Sequence, residues 1–110
     1  MRSNVLRSQF DDLKRRIDRL DDSAKSACFG FIRSTFSQVN EGYTLASSAD
    51  RQRILEEVRQ ISRKLWDAGN RAQALALGVI LLNLESQFET GDDADSVKAA
   101  TNALIKEAAA

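Results

Sequence analysis

Leu6, Phe10, Leu13, Ile17 and Leu20 follow one another at steps of four, three, four and three residues. A helix of 3.6 residues per turn gathers such a series onto one face, whereas a strand would scatter it over both. The rhythm returns at Ile54, Val58, Ile61 and Leu65. Proline is absent, and alanine, leucine, arginine, glutamine and glutamate, all good helix formers, are common. The chain therefore reads as all-α. At 110 residues it is long enough to bury a core as a single domain, residues 1–110, without disulfides or metals.

Caps and charges divide the chain further. Ser3 or Asn4 can start the first helix. Along it Arg7 and Asp11, Asp11 and Arg15, and Asp12 and Arg16 stand one turn apart, the spacing of helical ion pairs. The apolar rhythm runs on through Ala24, Ala27 and Phe31, so residues 4–41 can be read as one helix or two. A break is favoured because Arg15, Arg16 and Arg19 directly precede Asp21, Asp22 and Ser23. Cations suit the negative end of a helix dipole, and anions suit the positive end of the next. Asp22 or Ser23 would cap that second helix, with Gly42 as its stop and 43–48 as the longest loop. A third helix is expected over about 49–68, capped by Ser47 or Ser48 and ended by Gly69. Asn70 would cap a fourth, over about 71–89, and Asp92 or Asp93 a fifth, alanine-rich one.

The fourth helix stands apart, because every residue from Ala74 to Leu82 is apolar or glycine. A helix apolar around its circumference belongs inside. The expected architecture is thus a four- to five-helix antiparallel bundle with this helix at its centre. Gly78 within it costs about 1 kcal/mol relative to alanine, and close approach of a neighbour on the Ala74–Gly78 face would compensate. The spacing Leu65-x3-Gly69-x4-Ala74 resembles the inter-helix turn of a tetratricopeptide repeat over about 25 residues. Gly78 stands where the next aromatic of that pattern would fall, and no second copy follows, so the segment reads as a generic helical hairpin.

Several chemistries are disfavoured by what the chain lacks. It has no histidine, the commonest general base and zinc ligand, and its single cysteine, Cys28, leaves no zinc or iron–sulfur set. Cys28 falls on an apolar helical face and reads as a buried structural thiol. The acidic run Glu85, Glu89, Asp92, Asp93 and Asp95 fails the calcium-loop pattern at Val97. It reads instead as a helix cap with acids in the first turn. All five glycines are isolated, which argues against a phosphate loop. No catalytic, cofactor or metal site is expected, and the chain is read as not an enzyme.

Sixteen basic residues balance sixteen acidic ones, so no overall charge favours nucleic acid or an anionic membrane. The charge is uneven, however: residues 1–20 and 51–71 each carry six bases against three acids. If the first and third helices were neighbours, Arg15, Arg16, Arg19, Arg59, Arg63 and Lys64 would form a basic patch for nucleic acid or an acidic protein. Local pairing, Arg53 with Glu57 and Arg63 with Asp67, would blunt it, and Arg63 could lie over Trp66. The first helix, with its narrow seam Leu6, Phe10, Leu13, Ile17 and Leu20, is a candidate coiled-coil face towards a protein partner or a second copy. The leading expectation is a non-catalytic helical interaction module, self-associating and cytoplasmic; a nucleic-acid-associated regulator is the alternative. Without a secretory signal or a span of roughly 20 apolar residues, no membrane role is expected.

Overall fold

The computed structural model describes residues 4–110, which form five α-helices and no strand. They are α1 (Val5–Asp18), α2 (Asp22–Leu45), α3 (Ser48–Asp67), α4 (Arg71–Gln87) and α5 (Asp92–Ala109). The break between α1 and α2 falls where the charges turn over. Arg15 and Arg16 occupy the last turn of α1, and the Asp21 carboxylate accepts the Ala24 N–H at 2.8 Å to open α2. The capping residue is Asp21, one position before the expected Asp22 or Ser23. At the other hairpin Gly69, with φ +88°, ends α3 by letting the Asn70 N–H reach back to the Leu65 carbonyl at 2.8 Å.

The end of α2 and the cap of α1 differ from the sequence expectation, each for a tertiary reason. α2 does not stop at Gly42 but continues to Leu45, leaving only 46–47 as loop. Arg51 of α3 donates to the carbonyls of Tyr43 (3.1 Å) and Thr44 (3.0 Å), so a distant side chain satisfies carbonyls that end the helix. Ser47 then caps α3 by accepting the Asp50 N–H. Neither Asn4 nor Asn70 makes the expected cap bond, and Ser3 lies outside the described residues. α1 is instead capped from the far end of the chain: the Asp93 carboxylate accepts the N–H groups of Leu6 (3.0 Å) and Arg7 (2.9 Å). Asp93 therefore does not cap α5, which begins after Gly91 at φ +108°.

α1, α3 and α5 run one way and α2 and α4 the other. Asp93 at the start of α5 meets the start of α1, while Gln87 at the end of α4 bonds Asn40 of α2. α4 packs against all four other helices. Its buried residues, among them Leu75, Ala76, Val79, Ile80, Leu82 and Leu84, join both halves of the core. The expected central helix is therefore central. Gly78 has the predicted close neighbour: a Cβ there would meet the Leu13 side chain of α1 at 3.0 Å.

The interior is not wholly apolar. Asn83, buried among α4 leucines, donates to the Thr101 hydroxyl and to the Asn102 side-chain carbonyl, each at 2.9 Å, and accepts from Gln87 at 3.2 Å. Thr101 in turn donates to the Val97 carbonyl at 2.7 Å. These bonds tie α5 to α4 in one register.

Candidate functional site

The four outer helices do not close a ring around α4. α3 adjoins α2, α2 adjoins α5 and α5 adjoins α1, but no Cα of α1 lies within 8 Å of one in α3. The consequence is visible along α4. Gly78, Leu81 and Glu85, spaced three and four residues apart on one stripe, keep partial exposure, while the residues between them are mostly buried. A groove therefore runs between α1 and α3 with α4 as its floor. From Ala74 to Phe88 it follows 14 residues of helix rise, about 21 Å.

The groove has two hollows. One, of about 290 Å³, lies over Ala74, Leu75 and Gly78, with Leu13 and Arg16 on the α1 side and Arg63 and Trp66 on the α3 side. Its volume falls at the lower edge of the roughly 300–1,000 Å³ usual for small-molecule pockets, so it suits a single inserted side chain. The other, of about 490 Å³, lies between Val5 and Leu6 of α1, Leu55 and Arg59 of α3, and Glu85, Phe88 and Glu89. Arg59 borders both. Of four large apolar side chains left exposed among the described residues, Val5 (57%) and Phe88 (52%) stand on the rim of this second hollow.

The expected basic patch is only partly assembled. Arg16, Arg59 and Arg63 share the first hollow; Arg15, Arg19 and Lys64 are not among the residues that line it. Arg16 pairs with Asp12 at 3.1 Å, and Arg59 pairs with Glu85 at 2.9 Å and Glu56 at 3.5 Å. Local neutralisation does occur, through the expected partner at Arg16 and, outside the patch, at Arg7, but Arg53 bonds Asp50 rather than Glu57. Arg63 has no ion-pair partner among the described residues, and nor have Arg19 and Lys64. Trp66 carries Arg16 and Arg71 near its ring, at 5.6 and 5.0 Å from the centroid, instead of Arg63.

The α1 seam has a different place from the one expected of an interface. Phe10 and Ile17 are buried, and Leu6, Leu13 and Leu20 pack against the same core. This face of α1 is used against α4 and α5 within the chain. What α1 turns towards the groove is the edge of this seam, Leu6 and Leu13, together with Val5 and Arg16.

At the second hollow the sequence missed a cluster formed by Tyr43, Arg51 and Phe88. The Arg51 guanidinium lies 3.6 Å from the Phe88 centroid and 5.9 Å from that of Tyr43. Burial pushes the Tyr43 phenol up, against the opposing pull of Arg51. No spacing rule joins a residue in α2, one in α3 and one after α4, so no local signal could have shown it. Asn83, by contrast, was visible as the first polar residue after the Ala74–Leu82 run.

Cys28 is fully buried, and that burial pushes its thiol up to about 11. The native chain is expected to resist a maleimide at pH 8, reacting only once denaturant opens the core. Because the folded value exceeds the unfolded one of 9.0, the unfolded chain loses its proton first, and stability falls as pH rises from about 9 to 11. Urea midpoints across that window should fall less in Cys28→Ala than in the parent. Rapid labelling without denaturant would show the site to be open.

Among the described residues no helix is long and apolar enough to cross a membrane, and no group of three potential metal-ligating side chains is found. The fold defines the chain as an antiparallel bundle of four helices around a central fifth, with one open side. Compared with known proteins, it matches no family model, no curated protein and no solved structure.

Proposed function

We propose that this is a non-catalytic α-helical interaction module, self-associating and cytoplasmic, whose binding surface is the groove between α1 and α3. The observation that carries this reading is the open side of the ring around α4. A helix whose middle is otherwise buried keeps one partly exposed stripe, bordered by guanidinium groups and by the exposed apolar side chains of Val5 and Phe88. Aromatic and arginine side chains around an apolar hollow are the usual anchors of protein interfaces.

The nucleic-acid reading has less behind it. Two of the three grouped arginines hold carboxylates, and Trp66 already has two guanidinium groups near its ring. Bare cations and free aromatic faces are what phosphates and bases would need.

A photo-crosslinking amino acid placed at Gln52, which borders the larger hollow, tests the proposal in cells that make the protein. The expected result is a protein adduct, with a second copy or another chain, that is absent when the same group replaces Gln38, which is exposed on α2. Equal labelling at both positions, or none at either, would refute the groove as the binding surface.

A further inference from the structure

The two ends of the groove differ in charge. The smaller hollow is lined by Arg16, Arg59 and Arg63 without a carboxylate, and Arg71 lies beside Trp66 at the same end. At the larger hollow Glu85, Glu89 and Asp93 outnumber Arg51 and Arg59. Most of these charges already have partners. Arg51 holds the last carbonyls of α2, Asp93 holds the first N–H groups of α1, and Arg59 and Glu85 hold each other. Arg63 at one end and Glu89 at the other have no ion pair among the described residues. The apolar character is divided in a complementary way. The Arg63 end has a hollow sized for one side chain, and the Glu89 end has the half-exposed Val5 and Phe88, the latter with one side of its ring against Arg51.

Resting on the reading of the groove as a binding surface, we infer that its occupant is a second copy of this chain, docked groove to groove in antiparallel register about a two-fold axis. A polar groove is self-complementary only in that arrangement. Rotation by a half-turn lays the basic end of each copy on the acidic end of the other, twice over. Arg63 then faces Glu89 of the second copy, and Phe88 enters the hollow beside Trp66. Arg59, which borders both hollows, falls near the axis. Each copy's Arg59 carries its own Glu85 and Glu56, so no bare cations meet there. A parallel register would instead set like charges together, which disfavours it.

Sedimentation equilibrium of the full chain, with Arg63→Glu and Glu89→Arg as variants, tests the arrangement. Both positions are exposed, and circular dichroism will check that both variants fold. The parent is expected to form a dimer that weakens as salt is raised. Each variant alone places two like-charged pairs across the axis, and its dimer should weaken by about tenfold or more. Mixing the two variants restores both opposite-charge pairs, so the mixture should give a heterodimer about as stable as the parent dimer. The double variant should do the same with itself.

A dimer indifferent to both changes, or variants that fail to rescue each other, would overturn this register. A parent that stays monomeric at every concentration would overturn the second copy as occupant. If Gln52 still cross-links to a different protein in that case, the groove stands as a binding surface, and self-association falls with this inference. If Gln52 captures nothing, both fall together.

Discussion

Ile17→Asp is expected to unfold the domain rather than merely to loosen an assembly. Ile17 is 0% exposed, within the core formed by Phe10, Cys28, Ile32, Val79 and Val97. Removing its branched side chain alone would cost about 2–5 kcal/mol. An ionised carboxylate left there without a partner adds several kcal/mol more, even after relaxation and water entry. Domains of this size are stable by only about 5–15 kcal/mol, so the sum consumes most or all of the margin. The far-ultraviolet signal at 222 nm should drop at 25 °C, or the melting midpoint should fall by tens of degrees. Arg16→Ala is the control, since Arg16 is exposed and its pair with Asp12 is worth at most about 1 kcal/mol. A folded, monomeric Ile17→Asp protein would mean that the α1 seam faces outward as a docking surface after all.

The second large effect is expected at Asn83→Asp. The change is nearly isosteric, but it replaces a donor that serves two acceptors, Thr101 Oγ1 and Asn102 Oδ1, with an acceptor. It also places a carboxylate in a site that is 2% exposed. The loss at neutral pH should be about 3–5 kcal/mol, as when a buried charge is left uncompensated. Its pH dependence identifies the cause. Burial raises the folded pKa of the new carboxyl above its unfolded value near 3.9. Stability is then fully present below about pH 4 and is lost as pH rises towards the folded value. Urea midpoints of variant and parent should therefore converge in acid and diverge towards pH 7. Equal midpoints at pH 7 would show that the α4–α5 register does not depend on these bonds.

Both predictions concern places where local reading and tertiary packing parted. The α1 seam was legible as an apolar face, but an apolar stripe looks the same whether it meets another helix of its own chain or a second chain. Only the position of α4 settles it, because a helix apolar on nearly all sides draws its neighbours in around it. The end of α2 was misplaced for a related reason. Gly42 is a reasonable stop in isolation, but Arg51, from the next helix, satisfies the last carbonyls three residues later. In the same way Asp93 serves α1 rather than its own helix, across a sequence separation of more than 80 residues. Capping by a neighbour in space leaves no mark within the few residues that a capping rule inspects.

The 4-3-4-3 series of α1 and its echo in α3 were enough to determine the all-α class and, with the charge reversal at 15–23, the separation of α1 from α2. The uninterrupted Ala74–Leu82 run was enough to determine which helix is central. These depend on periodicity and on the cost of exposing apolar surface, both of which are properties of single segments. The ring left open between α1 and α3, and with it the grouping of Arg16, Arg59 and Arg63, was decided by tertiary structure alone. It depends on how four helices share the circumference of a fifth, and no segment carries that information by itself. The seam that first marked α1 as a helix thus holds it to the core, and its Leu6 and Leu13 edge, with Arg16, forms one wall of the groove.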